Sequence, residues 1–229
     1  GGDGDVNNEN FIKGMCYTMP VMWKDDKIVA DNIKTDVASN DMWSIAKSRG
    51  DLDKLKGMGV THLRVYDWDL SSSHTQFLDD LDNKELKLMV SISNYFVLIN
   101  QGALNENIQT FFNDIAPNNN YRPCIHSISI GNELDLNDNE RNNNYPQTQI
   151  ALSHLLNAEE NITNKNNIKI TIPVSFGVFD NAGPSINQLT NIHNNIVKPL
   201  SLSNRYVPSI QTTNPANDIK TLFYDKLTP

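Results

Sequence analysis

The chemistry in this chain gathers where short apolar runs give way abruptly to polar residues. The sharpest case is Ser127-Ile128-Ser129-Ile130-Gly131-Asn132-Glu133: an alternating strand-like run, a glycine that ends it, then an amide and a carboxylate. Chemistry directly after an apolar strand is how a parallel barrel presents a working residue at its C-terminal rim. Taken alone, the stretch reads equally well as a strand ending in a turn with two solvated loop residues. The rest of the chain decides between the two, because the pattern recurs. Tyr17 follows the first such run. Tyr66, Asp67 and Trp68 follow the second, with Arg64 just inside it. Asn94 and Tyr95 follow the third, Phe179 and Asp180 the fifth, and Gln211 and Asn214 the sixth. Each residue by itself is ordinary loop chemistry. Brought to one rim, carboxylates, amides, aromatics and one arginine fit a neutral, hydroxyl-rich ligand, that is, a sugar. The set contains no Ser–His pair, no metal triad and no glycine-rich phosphate cradle.

Six strands are predicted to position these residues: 11–17, 60–66, 86–92, 125–130, 168–174 and 205–210. Helices are predicted between them, at 52–56 after the Gly50-Asp51 cap, 74–83, 105–116, 146–162 and 185–197, with a last short one at 215–225. Ile108, Phe111, Phe112 and Ile115 share one helical face, and Pro117 stops that helix. Residues 19–48, which include Trp23 and Trp43, are too long for a simple connection and are predicted to be a functional loop over one face. Strand then helix, repeated in one direction, argues a single α/β domain over 1–229 with a parallel sheet. A doubly wound sheet would carry a glycine-rich loop after its first strand, and Gly14 stands alone. The expected architecture is therefore of the (β/α)8 TIM-barrel type. Only about six βα units fit into 229 residues. The barrel is expected to be incomplete at its C-terminus, with a further segment or chain completing it.

Composition narrows the partners. The net charge is −8 and no basic, aromatic-laced patch exists, which argues against nucleic acid. No apolar run approaches the roughly 18 residues of a membrane span. No signal peptide precedes Gly1-Gly2-Asp3-Gly4, which reads as a trimmed start. The five histidines are scattered, so no metal and no cofactor is expected. Cys16 and Cys124 are read as buried free thiols in preference to a disulfide. Asn161-Ile162-Thr163 is a sequon, which makes Asn161 a candidate glycosylation site.

Three points carry a resemblance. Ile12-Lys13-Gly14 with Tyr17, Leu63-Arg64-Val65-Tyr66-Asp67, and above all Ile130-Gly131-Asn132-Glu133 resemble the retaining glycosidases of clan A. They are most similar to the β-1,3-glucanases of glycoside hydrolase family 17 and the β-1,3-glucanosyltransferases of family 72. The resemblance implies Glu133 as the acid/base and Asn132 as the amide beside the sugar 2-hydroxyl. It implies Arg64 near the nucleophile, and Tyr17, Tyr66, Asp67, Trp68, Asn94, Tyr95 and Gln211 as substrate-binding residues. It also implies a polysaccharide or oligosaccharide partner and an extracellular or cell-surface location. Such chemistry needs two carboxylates about 5 Å apart, one protonated and one ionised. The family's nucleophile is a glutamate after a seventh strand; no glutamate after Glu133 lies at a strand end here, so the nucleophile is expected in a further C-terminal segment. One alternative is a catalytically inactive relative that serves as a carbohydrate-binding or structural wall protein. Another is an unrelated barrel with a metal held by Asp67, Asp180 and Glu133, which the lack of rim histidines disfavours.

Overall fold

The computed structural model describes residues 12–17, 23–24, 27–28, 36–134, 144–175 and 187–211. The strands are β1 (Gly14–Cys16), β2 (Trp23–Lys24), β3 (Lys27–Ile28), β4 (His62–Val65), β5 (Lys87–Ile92), β6 (Ile125–Ile130), β7 (Lys169–Thr171), β8 (Pro173–Ser175) and β9 (Ser209–Gln211). The helices are α1 (Asn40–Ala46), α2 (Asp51–Gly57), α3 (Thr75–Lys84), α4 (Gln101–Ile115), α5 (Asn144–Ala158) and α6 (Asn187–Ile192).

β1, β4, β5, β6 and β7 form one sheet in that order, every neighbour parallel. β8 and β9 form a parallel pair, and a parallel bridge joins Ile170 to Tyr206. The six predicted strands thus lie side by side in sequence order. The fifth is not continuous as expected: it breaks at Ile172 into β7 and β8. Pro173 has no N–H to donate to a ladder. The sixth is likewise interrupted, with Pro208 between the Tyr206 bridge and β9. Among the described residues nothing pairs with the outer edge of β1 or the far edge of β9, so the sheet is an open arc of a (β/α) barrel. β2 and β3 make a separate antiparallel pair.

Strand alternation divides the arc into two faces. Leu63, Val65, Leu88, Val90, Ile128, Ile130 and Ile170 are buried in one core with the helices' apolar residues, among them Phe77, Leu78, Leu81, Phe111, Phe112 and Leu155. Each such side chain contributes roughly 1.5–3 kcal/mol when fully buried. The alternate positions, among them Cys16, Arg64, Met89, Ser127, Ser129 and Thr171, form the inner face.

The stretch 19–48 is not a loop throughout. From Asp36 onward it packs into the core, and Trp43 in α1 meets Phe77 edge-to-face at 4.9 Å, which gives the indole an apolar home. Residues 18–22, 25–26 and 29–35 lie outside those described. α4 starts four residues earlier than predicted, because the Asn100 side chain accepts the Ala103 N–H and caps it there.

Two buried ionic clusters fasten the arc. His74 is fully buried, with Nε2 2.6 Å from Asp36 Oδ2 and Nδ1 3.2 Å from Asp114 Oδ2; the His74 N–H also donates to Asp114. This joins the segment before α1 to the start of α3 and the end of α4. Near the strand N-termini, Arg205 makes a bidentate pair with buried Glu159, whose Oε2 also accepts the Tyr121 hydroxyl at 2.5 Å. No helix among the described residues is long and apolar enough to cross a membrane.

Burial opposes protonation of His74, but hydrogen bonds and charge from Asp114 and Asp36 outweigh it and raise His74 above its ordinary value of 6.5. A raised folded value means the contribution is complete below pH 6.5 and is lost as pH rises through the folded value. The stability gap between wild type and His74→Gln, measured by urea denaturation, should therefore narrow as pH is raised from 6 to 9. A constant or widening gap would contradict the cluster's role.

Candidate active site

β6 ends in a turn that only its own sequence permits. Gly131 has φ +65°, and a Cβ there would lie 2.8 Å from Leu134 and 2.9 Å from Asn94 Oδ1. Its N–H donates to Ile92 O at 2.8 Å, which keeps it on the edge of β5. Asn94 then takes over from the ladder: its Oδ1 accepts the Asn132 N–H at 2.6 Å and its Nδ2 donates to the Asn132 carbonyl at 2.9 Å. Glu133 is also left-handed (φ +50°), and its N–H donates to Pro173 O at 3.0 Å. A non-glycine residue held at positive φ between two fixed strands is a frequent property of functional sites.

Arg64, at the C-terminal end of β4, reaches across the inner face. Its Nη2 donates to Asn132 Oδ1 at 3.1 Å and to Ser129 Oγ at 3.4 Å, and its guanidinium lies 4.3 Å above the Tyr66 ring. The Tyr66 hydroxyl is 3.1 Å from Cys16 Sγ. Burial lowers Arg64 from the usual guanidinium range, against the neighbouring Tyr66, Cys16 and Glu133. Burial, and then the bond to Cys16, push Tyr66 up to about 12, so it is a neutral phenol at ordinary pH. The Glu133 carboxylate is near enough for its charge to act on both groups. Arg64, Tyr66, Asn94, Asn132 and Glu133 therefore share one rim, with a partly exposed carboxylate beside a cation, an aromatic face and an amide.

Other residues named from the sequence lie elsewhere. Tyr17 is buried, stacked on Phe77 at 6.2 Å with its hydroxyl donating to Asp51 Oδ2, so it is a core residue, not a cleft wall. Trp68 is also buried, stacked on His74 at 3.8 Å, because the apolar ring covers the ionic cluster. Asp67 is exposed between them; partial burial and the Asp36 charge hold it above the usual carboxylate range. Tyr95 is 48 % exposed beside Asn94, its hydroxyl accepting from Asn100 Nδ2. Gln211 ends β9, its side chain outside the described atoms; Phe179, Asp180 and Asn214 lie outside the described residues. Asn161 is exposed in the turn after α5. Both cysteines are free, but Cys16 is exposed, not buried as expected, because β1 is an edge strand with no described neighbour on its outer side. Among the described residues, no three His, Cys, Asp or Glu side chains gather as metal ligands.

Sequence reasoning missed Cys16 and Ser129 as members of the rim. The signal for Ser129 was present: in Ser-Ile-Ser-Ile the serines must face away from the isoleucines, toward Arg64. Cys16 carried no signal, since its contact with Tyr66 depends on the pairing of Cys16 with Arg64 across β1 and β4.

These features define a partial (β/α) barrel with its polar site at the C-terminal rim. Its fold is shared with solved structures of Gas2. Gas2 bound to compound 10 aligns over 93 % of this chain and 54 % of its own, with TM-score 0.53 and 17 % identity. ScGas2 bound to compound 6 aligns over 75 % and 37 %, with TM-score 0.52 and 21 % identity. CJP38, a β-1,3-glucanase and pollen allergen of Cryptomeria japonica, aligns over 71 % and 50 %, with TM-score 0.46 and 16 % identity. The chain spans about half or less of the length of these structures. No family model matches the sequence, and no curated protein does.

The turn gives a direct test. Gly131→Ala forces a Cβ into Leu134 at a positive φ, and should destabilise the protein by about 2 kcal/mol or more. A denaturation midpoint unchanged from wild type would show that the Gly131 turn is not as tight as described.

Proposed function

We propose that this chain carries the acid/base portion of a retaining glycoside hydrolase or transglycosylase acting on a β-glucan, with β-1,3 linkages favoured. The observation that carries the reading is the clustering of Glu133 with Arg64, Tyr66 and Asn132 on the C-terminal rim of a fold shared with Gas2. The three-point resemblance of the sequence supports the same substrate class. Glu133 protonates the departing glycosidic oxygen and later activates the incoming water or sugar hydroxyl. Asn132 binds the sugar hydroxyl next to the reacting carbon, its backbone fixed by Asn94. Tyr66 and the exposed face of Tyr95 offer aromatic surface to a sugar ring; Asp67 follows Tyr66 after β4, and Gln211 ends β9. Arg64 holds the second carboxylate ionised. That carboxylate lies outside the described residues, since no other described glutamate sits at a C-terminal strand end. A polysaccharide partner, an extracellular or cell-surface location and a glycan on exposed Asn161 belong to the same reading.

The second reading is a non-enzymatic barrel that binds β-glucan, and the single rim glutamate among the described residues favours it. Kinetics separates the two. In the protein that supplies the second carboxylate, Glu133→Gln should lower turnover of a β-1,3-glucan by about 10² to 10⁴. An aryl β-glucoside with a good leaving group should lose far less, because its oxygen needs little proton assistance, and added azide should partly restore the variant. Equal losses on both substrates would exclude Glu133 as the proton donor. Laminari-oligosaccharide binding without any turnover would leave the binding protein.

A further inference from the structure

We propose that Cys16 is a positioning residue of this rim: its thiol fixes the Tyr66 hydroxyl, and through Tyr66 the Arg64 guanidinium that meets Asn132. For its effect on a sugar ligand the proposal rests on the reading above.

The geometry is a chain of direct contacts. Cys16 Sγ is 3.1 Å from Tyr66 Oη, within hydrogen-bond reach for a sulfur partner in either donor sense. The Tyr66 ring supports the Arg64 guanidinium at 4.3 Å, and Arg64 donates to Asn132 at 3.1 Å. The backbone holds the two ends in register, because Cys16 pairs with Arg64 across β1 and β4 and the Tyr17 N–H donates to Arg64 O at 2.8 Å. Tyr66 directly follows the last residue of β4, and a bond at the far end of its phenol limits where the ring can lie. That ring position in turn sets the height of the guanidinium above the rim.

The thiol is also open to solvent, whereas Cys124 is buried and its thiol is pushed far above the ordinary range by burial and by Asp82. Reactivity follows thiolate character and access. A small thiol reagent should therefore label Cys16 and spare Cys124. With methyl methanethiosulfonate, the Cys16 thiolate attacks the sulfenyl sulfur. A new S–S bond forms, the bond to the sulfonyl sulfur breaks, and methanesulfinate leaves with the electron pair. The modified sulfur has no hydrogen to donate and carries an S–CH3 group next to the phenol, so its contact with the Tyr66 hydroxyl changes. Dithiothreitol reverses the step.

The test has two arms on the same protein. In the first, tyrosine is labelled with 13C at Cζ and the Tyr66 signal is assigned by its absence in Tyr66→Phe. Cys16→Ala and the methylthiolated protein should shift that signal and leave the other tyrosines in place, whereas Cys16→Ser, which keeps a hydroxyl, should shift it less than Cys16→Ala does. In the second arm, laminaritetraose affinity should weaken about fivefold in Cys16→Ala, the size of one ordinary hydrogen bond. It should stay near wild type in Cys16→Ser, fall on methylthiolation and return with dithiothreitol. A Tyr66 signal unmoved by Cys16→Ala overturns the proposal. So does a moved signal with affinity unchanged in both the alanine variant and the labelled protein. If wild type binds no laminaritetraose, the carbohydrate reading fails, and the tyrosine signal alone decides whether Cys16 positions Tyr66.

Discussion

Asn94 binds Asn132 at both of its backbone polar groups, and the arrangement of the rim follows from that one side chain. In a parallel sheet a strand spends its amides and carbonyls on its neighbours. β5 ends at Ile92, and the chain then turns away through residues 95–99, so on that side the segment after β6 has no residue of β5 left to pair with. The Asn94 amide supplies one donor and one acceptor, as a strand residue would. Left-handed backbone at Glu133 costs of order 1–3 kcal/mol. Each net hydrogen bond returns about 0.5–1.5 kcal/mol. Three bonds, two from Asn94 and one from Glu133 N–H to Pro173 O, are therefore enough to hold the conformation, and two are marginal. The backbone that carries Glu133 is thus fixed by the Asn94 amide on one side and Pro173 O on the other.

Stability is placed at the other end of the strands. The Glu159–Arg205 pair joins the end of α5 to the approach to β9, and Arg205 Nε also donates to Ile168 O just before β7. Two buried charges gain little over an apolar pair, but removing one leaves the other stranded, at a cost of about 3–5 kcal/mol. Such a pair tolerates one alignment of α5, β7 and β9 and penalises the rest. In this fold the N-terminal ends of the strands carry stability and the C-terminal ends carry chemistry. The His74 cluster does the same work for α3, α4 and the segment before α1, and it explains why Trp68 lies inside: a flat ring stacked on the imidazole keeps water from the two carboxylates.

This division decides what the sequence could reveal. Strand order and direction were legible, because alternation marks each strand and a strand–helix–strand connection has one hand. The Gly131-Asn132-Glu133 turn was legible as well, since a glycine after alternating isoleucines has few other uses. Tyr17 and Trp68 were misplaced by the same reasoning. Position after a strand tells where a residue begins, not which way its side chain turns, and the apolar rings of both found a core that polar neighbours could not enter. The partners that bury them, Phe77 and His74, lie on a different element and are invisible to local spacing. Residues 36–48 were read as loop because Trp43 and Ala46 look isolated until α3 is placed against them.

The inner face explains why the rim needs a second carboxylate if Glu133 is to act as an acid. A cation near a carboxylate favours the charged form of that carboxylate, whereas a proton donor must reach the substrate protonated. Arg64 bears on Glu133 and is the only cation at this rim among the described residues. The other inward cations, Lys87 and Lys169, stand with His62 and His126 at the opposite ends of their strands. Among the described residues Glu133 is the carboxylate whose charge acts on Arg64, and a cation beside a lone carboxylate favours the ionised form over the proton-donating one. A second carboxylate on the far side of Arg64 reverses the balance. It takes the guanidinium as its own partner and stays ionised, and its negative charge then disfavours ionisation of Glu133. The same Arg64 that argues against acid catalysis by this rim alone is therefore what would assign the two roles once both carboxylates are present.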